Sequence, residues 1–153
     1  MLLSRFMSLL TSAVALAVVI PALAQESTTK PVDDAAIPAG TYVATAGSRD
    51  GKPLTEDQIK GVTFRFDADK MVITDRSGKE IHKCTHTIDK TATPWKINMK
   101  MTDTSGGDDK SAVGLIQREG ETVSIIYPLA GGETPTEFKT KEKQEMYVLK
   151  LQK

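Results

Sequence analysis

From Gly40 onward, apolar and polar residues alternate with a period of two, the mark of strands with one face buried. The clearest case is residues 95–101, where Trp95, Ile97, Met99 and Met101 interleave with Lys96, Asn98 and Lys100. Tyr42, Ala44 and Ala46 share one face of a first strand. Val62, Phe64 and Phe66 do so in a second, with Thr63 and Arg65 opposite. A third strand is expected at 71–74, after the turn Asp67-Ala68-Asp69-Lys70. Further strands are expected at 80–88, 112–118, 123–127 and 146–152. Their connectors are rich in turn formers: Asp75-Arg76-Ser77-Gly78, Gly106-Gly107-Asp108-Asp109, Glu119-Gly120-Glu121 and Ala130-Gly131-Gly132.

Residues 54–61 break the alternation. Thr55 suits a helix N-cap, Gln58 completes a capping box, and Leu54 and Ile59 fall at the staple positions. Glu56 and Asp57 favour the positive helix end, and Gly61 favours a stop. The segment predicts one short helix after the first strand. Eight strands with short turns and no crossover helix imply an antiparallel meander. Closing on itself removes the exposed edges of such a sheet, and eight strands leave an interior that is either filled or holds one small ligand. A two-layer β-sandwich is the rival fold on spacing alone.

The first residues follow a different pattern. Arg5 is the one charge before an apolar run from Leu9 to Ile20, Pro21 ends it, and Ala22-Leu23-Ala24 has the small-x-small form of a cleavage site. Residues 1–24 therefore read as a signal peptide, which implies export to the periplasm or the medium. Thr11, Ser12 and the cleavage pattern weigh against a retained membrane anchor. Residues 25–38 are polar and read as a flexible lead-in, with the folded domain at 39–153.

Composition adds mainly exclusions. With 20 Lys+Arg against 20 Asp+Glu, the formal net charge is zero, which lacks the basic surplus a nucleic-acid partner requires. A single cysteine rules out an internal disulfide framework. No phosphate-cradling glycine loop, HExxH or GxSxG is present, so neither an enzyme nor a cofactor is expected.

Gly40-Thr41-Tyr42, then Asp50-Gly51-Lys52-Pro53-Leu54 running into Lys60-Gly61-Val62, then Gly132-Glu133-Thr134-Pro135-Thr136-Glu137-Phe138, stand in that order. Together they resemble the planctomycete lipocalin-like domain family, small exported proteins with no established activity. The resemblance covers residues 39–153 and implies a calycin-type barrel. In such barrels a Gly-x-Trp on the first strand is covered by a basic residue near the last. Here Tyr42 replaces the tryptophan, and Lys150 or Lys153 would be the basic partner.

One constellation could carry chemistry. His82, Cys84 and His86 share a strand face, which the resemblance turns inward, with His86 where an aromatic residue is usual. A thiolate and two imidazoles would suit zinc or copper. At ~3.3 Å per residue, however, the two histidines stand ~13 Å apart along the strand, so an acidic residue from elsewhere would have to complete a site. The plainer reading is a small core thiol with hydrogen-bonded histidines. Were Cys84 exposed, a disulfide-linked dimer would follow. Asp103, Asp108 and Asp109 hint at calcium but lack the spacing of an EF-hand loop.

The leading functional reading is a non-enzymatic exported barrel binding a small apolar or amphipathic molecule. Its wall would be Tyr42, Phe64, Phe66, Trp95, Ile97, Met99 and Met101. The alternatives are a filled barrel acting as a protein-interaction module, and a periplasmic metal binder through His82, Cys84 and His86.

Overall fold

The computed structural model describes residues 36–102 and 110–153. The expected signal peptide, nearly all of the expected lead-in, and Asp103, Asp108 and Asp109 lie outside the described residues. Strands β1 (Gly40–Arg49), β2 (Lys52–Pro53), β3 (Thr63–Phe66), β4 (Lys70–Thr74), β5 (Glu80–Asp89), β6 (Trp95–Met101), β7 (Ser111–Glu119), β8 (Thr122–Pro128) and β9 (Gln144–Leu151) follow one another, with α1 (Glu56–Ile59) after β2. All pairings are antiparallel. β1 pairs with β3 through Tyr42 opposite Phe64, and with β9 from Tyr42 opposite Leu151 to Arg49 opposite Glu145.

That last pairing closes eight strands into a barrel and removes the β-sandwich as an alternative. β2 is a two-residue appendage to β1 across the Asp50-Gly51 turn, both of whose residues have positive φ (52° and 76°). Asp-Gly is a strong two-residue hairpin signal. Among the described residues, no helix is long and apolar enough to cross a membrane.

The short helix forms as its capping pattern predicts. The Gln58 side-chain oxygen accepts the Thr55 backbone N–H at 2.8 Å, and Leu54 and Ile59 pack against the core. The helix covers the end of the barrel where β1 finishes.

Two bulges reset the face that the strands present. Between Ala44 and Ala46 the pairing of β1 with β9 slips by one residue at Thr45, whose hydroxyl donates to the Val148 carbonyl at 3.1 Å. Tyr42 and Ala44 point inward, but Ala46 is exposed. Gly47 and Arg49 take over the inner face, and an extra residue that flips the alternation is the physical reason. A Cβ on Gly47 would sit 2.9 Å from Leu54 and 3.1 Å from the Tyr147 ring. The second bulge, in β5, makes Ile81 the unpaired residue between His82 and Glu80 and leaves it exposed.

Residues 36–38 belong to the fold, although the sequence reading set them outside it. Ile37 packs against the core, the Tyr42 hydroxyl donates to the Pro38 carbonyl at 3.0 Å, and Arg118 donates to the Ala36 carbonyl at 3.2 Å. The segment lies across the end of the barrel where β1 starts. The 129–143 connection crosses the opposite end. There Gln144, 2% exposed, donates to the Glu133 carbonyl and accepts the Lys141 N–H, each at 2.9 Å. Thr140 accepts the Gly51 N–H at 3.1 Å.

Candidate functional site

The inner wall is built by alternation. Of the seven wall residues expected from the pattern, Tyr42, Phe64, Phe66, Trp95, Ile97 and Met99 are buried in one core cluster, and Met101 packs partly exposed beside it. They come from β1, β3 and β6 and are completed by Met71, Ile73, Ile116, Val123, Ile125 and Leu149. Their rings touch: Tyr42 meets Phe66 edge-on at 5.4 Å, and Phe64 meets Tyr147 at 5.2 Å.

Room within this wall is uneven. Phe64, Ile97, Ile116 and Ile125 are 0% exposed, so no water-sized space adjoins them and side chains fill that part of the lumen. Other inward residues keep some surface, His86 8%, Trp95 7% and Met99 7% on β5 and β6, and Ala44 7%, Tyr127 9% and Tyr147 7% on β1, β8 and β9. Trp95 sits near the rim, with the Lys90 ammonium 4.8 Å from its ring centroid.

The three residues weighed as metal donors part company. His82 is exposed near the start of β5, while Cys84 and His86 are buried. Cys84 lies opposite Met71 and Met101, and His86 lies opposite Met99 with its ring edge-on to Phe66 at 5.7 Å. Among the described residues, no three His, Cys, Asp or Glu side chains come together as a metal site. Burial pushes the Cys84 thiol up to about 11, so it stays protonated at neutral pH and lacks the thiolate that nucleophilic attack needs. Being 3% exposed, it also cannot support the disulfide-linked dimer. A thiol reagent is expected to leave the folded protein unmodified and to label one thiol after denaturation. Rapid native labelling would contradict the burial. Burial likewise pulls His86 below its ordinary value, against the opposing pull of the Asp69 carboxylate.

A polar cluster that the sequence did not announce lies where β1 ends. The Glu145 carboxylate, 4% exposed, receives Arg49 Nε at 2.9 Å, a second contact from Arg49 Nη2, and the hydroxyls of Tyr147 at 2.9 Å and Tyr127 at 3.1 Å. The bulge at Thr45 makes this possible, because it turns Arg49 onto the face of its cross-strand partner Glu145. The one carboxylate accepts from three side chains, so the cluster acts as a clasp holding β1, β8 and β9 together. At the opposite end, Arg118 of β7 is the cation beside the Tyr42 phenol. Lys153 instead pairs with Glu121 on the surface at 3.0 Å, and Lys150 is exposed. Neither lysine therefore stands as the basic partner of Tyr42 expected near the last strand.

All three tyrosines of the chain have raised phenol pKa values, through burial above all, reinforced at Tyr127 and Tyr147 by the Glu145 charge. A phenol held above its unfolded value of 10.0 stabilises the fold below that pH, and the contribution is lost as pH rises towards the folded value. Phenolate absorbance is thus expected to stay flat through pH 10 and to appear together with loss of the folded circular dichroism. Ionisation of all three in an intact fold near pH 10 would contradict this.

No family model, no curated protein and no solved structure matches the chain.

Proposed function

We propose that this protein is an exported, non-enzymatic lipocalin-like barrel that binds a small amphipathic molecule in its interior, against the inner faces of β5 and β6. The observation that carries this reading is a closed barrel whose inward residues form one apolar cluster, with His86, Trp95 and Met99 on the β5 and β6 side among those that keep some surface. Methionines beside an aromatic ring adapt to varied shapes, and the packed portion restricts the occupant to a small one. Affinity would come from apolar burial, at roughly 25 cal/mol per Å² before ordering costs.

A non-enzymatic role is supported by the chemistry present. The Glu145 carboxylate is occupied by its own clasp and the Cys84 thiol is protonated. Export is supported by the leader pattern in residues 1–24, with periplasm or medium as the destination, and neither a nucleic acid nor a membrane is a partner in this reading. The lipocalin-like assignment rests on the three sequence blocks and the barrel together.

Trp95, the single tryptophan, provides the test. Its fluorescence is expected to change when small lipophilic probes are titrated, and native mass spectrometry of protein from its own host should retain a small molecule. If a broad panel leaves the emission unchanged and nothing is retained, the reading fails. The packed portion then favours the second reading, a filled barrel whose rim and loops bind another exported protein.

A further inference from the structure

We propose that His86 is the polar contact of the interior site and that the molecule it selects is neutral and apolar with one hydroxyl group. This inference rests on the interior-binding reading and adds the class of ligand. Among the described residues, His86 Nδ1 is the one buried side-chain nitrogen or oxygen left without a hydrogen bond, and its own surface is closed, so an occupant meets it only after a neighbouring side chain moves aside. The residue is 8% exposed, and it shares the inner face with Cys84, beside Phe66 and opposite Met99. Its backbone N–H is already used, donating to the Asp69 carbonyl at 2.8 Å. Buried polar atoms are nearly always paired, so an unpaired one in an otherwise complete apolar core marks where a partner belongs.

The chemistry of that partner follows from the surroundings. A neutral imidazole offers one N–H and one lone pair, and a hydroxyl can either donate or accept, so it satisfies Nδ1 in both tautomers. A carboxylate would be repelled by the Asp69 carboxylate as well as stripped of water, and an ammonium group would be drawn by that charge but would lose its water to an apolar lining. A plain hydrocarbon would leave the nitrogen unpaired. Phe66 and Met99 supply the apolar contact for the rest of the molecule.

The test compares 1-hexanol, hexane and hexanoate on the full chain and on His86→Phe, which keeps a ring in the same place. The ratio of hexanol to hexane affinity is expected to fall about tenfold in the variant. In the unaltered protein, the ¹⁵N resonance of His86 Nδ1 should move with hexanol and stay with hexane, a readout that does not depend on the variant folding. Equal ratios in the two proteins with an unmoved resonance would overturn the role of His86, and tighter binding of hexanoate would overturn the ligand class. If none of the three binds either protein, the interior-binding reading itself falls.

Discussion

Replacing Glu145 with alanine is expected to lower stability by about 3–5 kcal/mol, one of the two largest losses anticipated from a single change. The carboxylate is the common acceptor for three side chains from three strands. Its removal leaves the Tyr127 and Tyr147 hydroxyls without their acceptor in a region closed to water. An unpaired buried donor costs roughly 1–3 kcal/mol, more than the same bond is worth when both partners are present. Arg49 contributes less, because nearly half of its side chain is exposed and returns to water. The asymmetry yields a sharper expectation. Adding Tyr127→Phe and Tyr147→Phe to the alanine variant should recover part of the loss, since the stranded donors then vanish. Urea unfolding followed by circular dichroism measures both effects. A loss under about 1 kcal/mol in the single variant, the worth of one ordinary hydrogen bond, would show that the clasp is not a structural keystone.

Phe64→Ala should cost a similar amount, about 3–5 kcal/mol, for a different reason. Phe64 is 0% exposed and packs on Tyr147, so truncation removes apolar contact and leaves a void that fixed strands cannot close. The midpoint of urea unfolding should fall with an unchanged slope, because the surface exposed on unfolding hardly changes. A dry void of this kind accepts a small apolar guest, so benzene should restore more stability to the variant than it adds to the parent. Equal effects in both proteins would mean that the lumen beside Phe64 is open already. This experiment therefore also measures how full the barrel is, the point on which the two functional readings divide.

Much of the architecture is legible along the chain because a strand's burial follows from adjacent residues. Apolar alternation, together with the turn formers between the runs, places all eight barrel strands near their observed positions, and the Thr55 and Gln58 pair places the helix. These signals are local: each needs only a few neighbouring residues and the fixed geometry of the backbone. The β2 appendage was also within reach, through Asp50-Gly51, but two residues are too few to show a period.

What the alternation could not reveal is where it fails. The bulges at Thr45 and Ile81 depend on partner strands many residues away, and they decide that Ala46 faces outward and Arg49 faces Glu145. The clasp escaped notice for the same reason, since charged and phenolic residues near strand ends look like an ordinary solvated rim until closure brings them together. His82, Cys84 and His86 read alike on one strand face, yet only the depth of each position separates an exposed imidazole from a buried thiol and a buried ring with an unpaired nitrogen. Sequence alone determined the strands, the helix and their order, because backbone period and local capping are properties of neighbours. Tertiary structure alone decided closure, the filled part of the lumen and the solitary nitrogen of His86, because burial and hydrogen-bond satisfaction depend on residues distant in the chain meeting in space.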